Sequence, residues 1–123
     1  MATKSIRLTD GTDTLLSESA ENGYGGGSTN YNGYQKFADG TLICYGWISI
    51  TASGNSTANT SITFLHEFLH NPKVFTSAIT TTPQYHHSGV AGITTTGCNL
   101  YFYNSSGSSR TNEINYIAIG VWK

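Results

Sequence analysis

The sequence predicts an all-β domain, a small antiparallel β-sandwich, and three observations carry that prediction. Apolar residues recur with period two: Cys98, Leu100 and Phe102 alternate with Asn99, Tyr101 and Tyr103, while Ile117, Ile119 and Val121 alternate with Ala118, Gly120 and Trp122. The strand-like runs are short and are separated by Gly/Asn/Ser clusters such as "NSSGSS" at 104–109, which is how sandwiches and barrels are punctuated. No segment carries a long apolar stripe at helical spacing. Composition agrees, because Thr and Tyr favour strands while Gly and Asn serve turns.

Taken in order, the chain opens with strand-like "SIRLTD", a turn at Gly11 and then "TLLSESAEN". Residues 23–33, "GYGGGSTNYNG", are Gly-rich and polar and read as a loop or hinge. No strand-to-helix context and no following Lys-Ser/Thr pair marks them as a phosphate-binding loop. The predicted organisation is therefore an N-terminal segment, 1–30, that runs into the hinge, and 31–123, the sandwich. "YQKFADGTLICYGWISI" has two strand-like arms around Asp39-Gly40, the strongest hairpin signal in the chain. "SITFLHEF", "PKVFTSAITT", "SGVAGITTTGCNLYFYN" and "NEINYIAIGVWK" supply the remaining strands.

Composition also excludes classes of function. The 123 residues suffice for one domain with its own core. Only 11% are charged and the net charge is −1, so neither nucleic acid nor an anionic membrane is an expected partner. No apolar run reaches the length of a bilayer span. "MATKSIRLTDG" has no apolar h-region and reads as no secretory signal, so synthesis in the cytoplasm is expected. Cys44 and Cys98 lie in separate strand-like segments and fit either two buried free thiols or a cross-sheet disulfide.

His66-Glu67-Phe68-Leu69-His70 spells H-E-x-x-H, a zinc-hydrolase signature that works only on a helix, where residues four apart share a face. The flanks oppose a helix. Pro72 pushes Asn71 out of the α region, and Ile62 and Thr63 upstream are β-branched. The two turns left over do not hold alone. No carboxylate pair at glycosidase spacing and no G-x-S-x-G elbow is present. No enzyme activity, metal or cofactor is expected.

The same segment carries a second pattern, I-x-F-x3-F-x3-P-x-V, from Ile62, Phe64, Phe68, Pro72 and Val74. It resembles part of H-type lectin domains and of the C-terminal, receptor-binding tip domains of bacteriophage tail fibres. "KFADGTLICYGW" is similar to the opening of the fibre domains, "TTTGCNLYFYN" to their Thr-Gly-apolar strand, and "YIAIGVWK" to their closing strand. Together these matches cover residues 33–123 in order. The resemblance implies an H-type lectin-like antiparallel sandwich, assembled as a homotrimer, at the tip of a phage tail or tail-like particle. It implies attachment to a bacterial surface glycan or other receptor, with residues 1–30 joining other tail proteins; the alternatives are a purely structural fibre or baseplate component and a free-standing H-type-like lectin. The Trp-His pair with which H-type lectins hold N-acetylgalactosamine falls at Ser105-Ser106, so that sugar site does not transfer.

Binding candidates come from two loops with residues suited to sugars, which are held by ring stacking and by amide or guanidinium hydrogen bonds. From "PQYHHSG" these are Tyr85, His86 and His87; from "YNSSGSSRTNE" they are Asn104, Arg110 and Asn112. An alternative places His86 and His87 on a threefold axis, where three copies would hold a metal. Phe64 and Phe68 are expected as core or interface anchors, with His66, Glu67 and His70 solvated. Trp47 and Trp122 are expected to pack rather than to stack on sugars.

Overall fold

In the computed structural model, the described residues are 21–123 together with the backbone of 6–7 and 13–14. Two short strands, β1 (Ile6–Arg7) and β2 (Asp13–Thr14), pair antiparallel, as the strand-like start predicts. Gly11 and most of "TLLSESAEN" lie outside the described residues.

The rest is a two-sheet sandwich, as the sequence predicts. The larger sheet contains β3 (Glu21–Gly26), β4 (Asn30–Lys36), β5 (Thr41–Ala52), β7 (Lys73–Ile79) and β10 (Arg110–Val121), in the order β3-β4-β5-β10-β7. The smaller contains β6 (Ser56–Thr63), β8 (His86–Ala91) and β9 (Gly97–Asn104), in the order β6-β9-β8. Every pairing is antiparallel.

The hairpin expected at Asp39-Gly40 joins β4 to β5. Asp39 Oδ1 accepts the Thr41 N–H at 2.8 Å, and Gly40 takes φ 103°, a left-handed backbone that glycine adopts without steric cost. The closing strand locks onto this turn. Trp122 N donates to Gly40 O at 2.9 Å, and its indole Nε1 donates to Phe37 O at 2.7 Å. Trp122 therefore packs, as expected, with Lys36 Nζ 4.4 Å from its ring centroid.

The Gly-rich stretch corrects the hinge reading. Residues 23–33 form most of a hairpin, β3 with β4, and extend the larger sheet. The reason is tertiary. A Cβ on Gly23 would lie 2.6 Å from Tyr34 Cε1, and one on Gly33 would lie 2.7 Å from Tyr45 Cζ. Cross-strand tyrosine rings occupy the space the glycines leave, so apolar burial offsets the entropy glycine loses in a strand.

The core lies between the sheets. Leu42, Cys44, Ile50 and Ala52 of β5 and Ile114, Tyr116 and Ala118 of β10 face Cys98, Leu100 and Phe102 of β9. Phe64 and Phe68, from the β6–β7 connection, close one end. Cys44 and Cys98 are both free, which settles the alternative left by the sequence. Burial pushes both thiols up to about 11.

Candidate functional site

The β6–β7 connection carries His66-Glu67-Phe68-Leu69-His70 and is not helical. Its backbone is held from outside: Phe64 N donates to Thr96 O at 2.8 Å, Phe68 N to Thr95 O at 2.9 Å, and Leu69 N to Val121 O at 2.8 Å. The two phenylalanines turn inward while Leu65 and Leu69 stay exposed. His70 is exposed. His66 departs from the expectation of a solvated side chain: it is half-buried, its ring 5.1 Å from that of Tyr34 and its Nε2 3.9 Å from Glu21 Oε1. Among the described residues, no group of three His, Cys, Asp or Glu side chains is placed to hold a metal.

Glu21 anchors this end of the larger sheet. Its Oε1 accepts from Tyr34 Oη at 3.0 Å and lies 3.3 Å from Lys36 Nζ. Desolvation works to raise its pKa, but the Tyr34 hydrogen bond, Lys36 and His66 together outweigh it and hold the carboxyl below its usual range.

Of the six candidate binding residues, three converge. His86, Arg110 and Asn112 line a cleft of about 370 Å³ with residues 79–82. His86 opens β8 as a buried strand residue, 5% exposed, rather than a loop residue. Its Nδ1 lies 2.6 Å from Thr80 Oγ1 and 3.2 Å from Thr82 Oγ1. Asn112 Nδ2 lies 3.2 Å from the same nitrogen, which leaves Nε2 as the ring's other polar atom. That Nε2 is buried without a partner, against the edge-on ring of Phe102 at 5.4 Å. Arg110 is exposed at the rim, with Nη1 donating to Ser109 O at 3.2 Å.

The other three candidates lie elsewhere. Asn104 is 2% exposed, and its bonds are internal. Nδ2 donates to Ala52 O, Ser53 O and Ser108 O, and Oδ1 accepts from Ser106 N and Oγ. It ties the β5–β6 turn to the β9–β10 loop. Tyr85 exposes its ring, and its carbonyl accepts from Ser105 N at 2.9 Å. His87 is exposed, opposite Tyr103 in the ladder. His86 and His87 thus point to opposite faces of β8, and the shared metal site at a threefold axis is corrected accordingly.

A face that sequence reasoning did not single out lies beside His87. On the outer side of the smaller sheet the Tyr101 and Tyr103 rings run nearly parallel, with centroids 6.2 Å apart and planes 18° apart. Gly89 leaves room for this, since a Cβ there would come within 3.0 Å of Tyr103 Cε2. Register places Thr57 and His87 beside Tyr103, and Asn59 beside Tyr101. One rung away, Ser61 Oγ donates to Asn99 Oδ1 at 2.6 Å. A shallow cleft of about 300 Å³ continues from Tyr103 along Asn55, Ser56, Thr57, Asn104 and Ser105. None of these side chains is a carboxylate, Lys or Arg. Aromatic surface bordered by hydrogen-bonding side chains suits a polyhydroxylated ligand with apolar ring faces. The signal was present in "NLYFYN", whose outward positions are Asn99, Tyr101 and Tyr103.

No protein-family model and no curated protein matches the sequence. Solved structures do match its fold. The tailspike protein gp49 from Pseudomonas phage LKA1 aligns with a TM-score of 0.59 at 16% identity, over 68% of this chain and 16% of that one. An N-truncated R1-type pyocin tail fibre aligns with a TM-score of 0.57 at 15% identity, over 81% of this chain and 85% of that one. A P. aeruginosa R1 pyocin fibre aligns with a TM-score of 0.58 at 14% identity, over 89% of this chain and 32% of that one. The chain therefore spans less than two thirds of the tailspike and of this last fibre. At such identities the likeness is one of fold: the small antiparallel β-sandwich expected from the sequence is found, and this chain shares the fold seen in the tailspike and pyocin tail fibre structures.

Proposed function

We propose that this chain is a host-attachment module of a phage tail or tail-like particle, which binds carbohydrate on the bacterial surface and works as a homotrimer. The chain ahead of β3 serves as its attachment to the rest of the particle. One observation carries the carbohydrate reading: the Tyr101–Tyr103 platform, bordered by neutral hydrogen-bonding side chains. The likeness in fold to a tailspike and to pyocin tail fibres supports the particle context. The absence of Lys and Arg from the groups bordering this face favours a neutral glycan, because an acidic one would be met by them.

The test is binding of the purified chain to surface polysaccharides from a panel of bacteria. Retention on at least one polysaccharide, released by the free glycan and lost in a Tyr101→Ala/Tyr103→Ala variant, supports the reading. Silence across the panel from a folded chain assigns it instead to the fibre's framework.

A further inference from the structure

The two sheets differ in width, five strands against three. Thr76 Oγ1 and Ser88 Oγ, 2.9 Å apart, hold β8 beside β7, so the smaller sheet's other edge strand, β6, lies toward β4. No described strand pairs with the outer edge of β6. Phe64 N donates to Thr96 O, and by alternation the backbone groups of Ile62 also turn toward β9. Those of Ser61 and Thr63 therefore point to the unpaired edge.

A cleft of about 190 Å³ opens between this edge and β4. Its apolar floor is Ile48, Ile62 and Tyr116, and Asn30 and Asn32 stand on the opposite wall. The two asparagines pair with Ile48 and Gly46, at the positions of β5 that alternate in step with buried Cys44 and Ile50. Both thus project to the inner face of the larger sheet. Glycines make the room. A Cβ on Gly25 would lie 3.2 Å from Asn32 Oδ1, and one on Gly46 would lie 3.0 Å from Tyr116 Cε1. Asn30 Oδ1 accepts the Gly27 N–H at 3.1 Å and leaves its amide hydrogens unused among the described residues. The half-buried Asn32 amide bonds to no described residue. Two amides and a strand edge bring unspent neutral donors and acceptors to one apolar hollow, and no charged residue lines it.

We propose that this cleft is a second subsite for a neutral glycan, holding one six-membered sugar ring by its hydroxyls. The Asn30 and Asn32 amides and the backbone of Ser61 and Thr63 supply the hydrogen bonds. This deepens the carbohydrate reading above and rests on it for the class of ligand. The size fits one ring, since a cavity of ~150 Å³ admits benzene and the open side of the cleft leaves space for hydroxyls. An apolar floor with a few convergent polar groups is also how small-molecule sites are built. Position agrees. Ser61 belongs to both sites, lining the cleft while its Oγ donates to Asn99 Oδ1 beside the platform. A glycan on Tyr101 that continues across β6 reaches the cleft after two strand spacings, roughly 10 Å.

The test has two arms, both on the 123-residue chain. In the first, glucose, galactose, mannose, rhamnose, N-acetylglucosamine and N-acetylgalactosamine are titrated one at a time. The side-chain amide NMR signals of Asn30 and Asn32 report the cleft, and the ring signals of Tyr101 and Tyr103 report the platform. At least one sugar should shift the Asn32 signals. Asn32→Asp, which keeps the side chain's size but removes its donor, should abolish the matching shift at Asn30 and leave the tyrosine signals as they were. No response of Asn32 to any of these sugars overturns the proposal, whatever the tyrosines do. In the second arm, the polysaccharide retained in the panel assay is bound to variants. Asn32→Ala should weaken binding by about threefold to tenfold with its β-sheet circular dichroism intact. Unchanged binding in a chain that still needs Tyr103 overturns the subsite and leaves the platform standing. Loss with Asn32→Ala but not with Tyr101→Ala/Tyr103→Ala overturns the platform and keeps the cleft. If no polysaccharide is retained, the attachment reading fails and the sugar titration alone decides the cleft.

Discussion

Phe64 and Phe68 meet edge to face beneath the larger sheet, with ring centroids 5.3 Å apart and planes at 81°. The i, i+4 spacing that gives His66 and His70 the look of a zinc pair also belongs to these two rings. Packing, not metal, accounts for the segment's order. Phe68 is 1% exposed, and its ring sits against Gly120, where a Cβ would lie 2.8 Å from Phe68 Cδ1. Phe68→Ala should lower the unfolding free energy by about 3–5 kcal/mol, the cost of an emptied aromatic site. His70→Ala should stay within about 0.5 kcal/mol, as an exposed substitution does. Urea denaturation of both variants checks the contrast; equal losses would remove the rings from this role.

The cysteines give a chemical readout of the same core. Burial pushes Cys44 and Cys98 to about 11, leaving almost no thiolate near neutral pH, and only the thiolate attacks electrophiles. The native chain should therefore react negligibly with a thiol-specific disulfide reagent at about pH 8, and denaturant should release two equivalents per chain. A fast native equivalent would mean that one side of the sandwich opens readily.

Glu21 predicts a pH dependence. Its folded pKa is lowered, because Tyr34, Lys36 and His66 outweigh desolvation. A depressed carboxyl contributes stability that is fully present above its unfolded pKa and lost as pH falls through the folded one. Stability should thus decline from about pH 5 downward, and Glu21→Gln should decline less over the same range. Urea midpoints followed with pH test this; parallel curves would show that Glu21 is not the titrating group.

Much of this fold was legible in the sequence, and the exceptions share a cause. β9 and β10 appear in their alternation, and the β4–β5 turn in Asp39-Gly40, since both signals are local. The β3–β4 hairpin carries no such signal. Gly23 and Gly33 read as a hinge until Tyr34 and Tyr45 are known to lie across them, a fact fixed by pairing register. The same limit applies to the candidate site. Nothing near His86 in sequence announces that β8 turns it toward Phe102, because its surroundings come from Thr80, Phe102 and Asn112 on three other parts of the chain.

Asn104 shows what such a buried amide does. Its bonds to the Ala52, Ser53 and Ser108 carbonyls reinforce a junction of the β5–β6 turn with the β9–β10 loop that the backbone makes with one bond, Asn55 N to Ser106 O at 2.8 Å. Asn104→Ala strands those acceptors and should cost about 1–3 kcal/mol. Hydrogen exchange should show the loss first in the β5–β6 turn and the β9–β10 loop; a uniform loss across both sheets would contradict the staple role.

The platform itself can be tested quantitatively. A sugar ring stacked on one tyrosine removes roughly 60 Å² of apolar surface from water, worth about 1.5 kcal/mol. Tyr101→Ala and Tyr103→Ala should therefore each weaken binding to a recognised polysaccharide by about tenfold. Because no Lys, Arg or carboxylate borders the two rings, affinity should change little between about 0.05 and 0.5 M salt, where ion-paired binding would fall steeply. Arg110→Ala separates this face from the cleft at His86, whose rim Arg110 forms. Binding that survives the loss of Arg110 but not of Tyr103, at constant affinity in salt, locates the ligand on the smaller sheet. The reverse pattern, with a steep salt slope, moves it to the cleft.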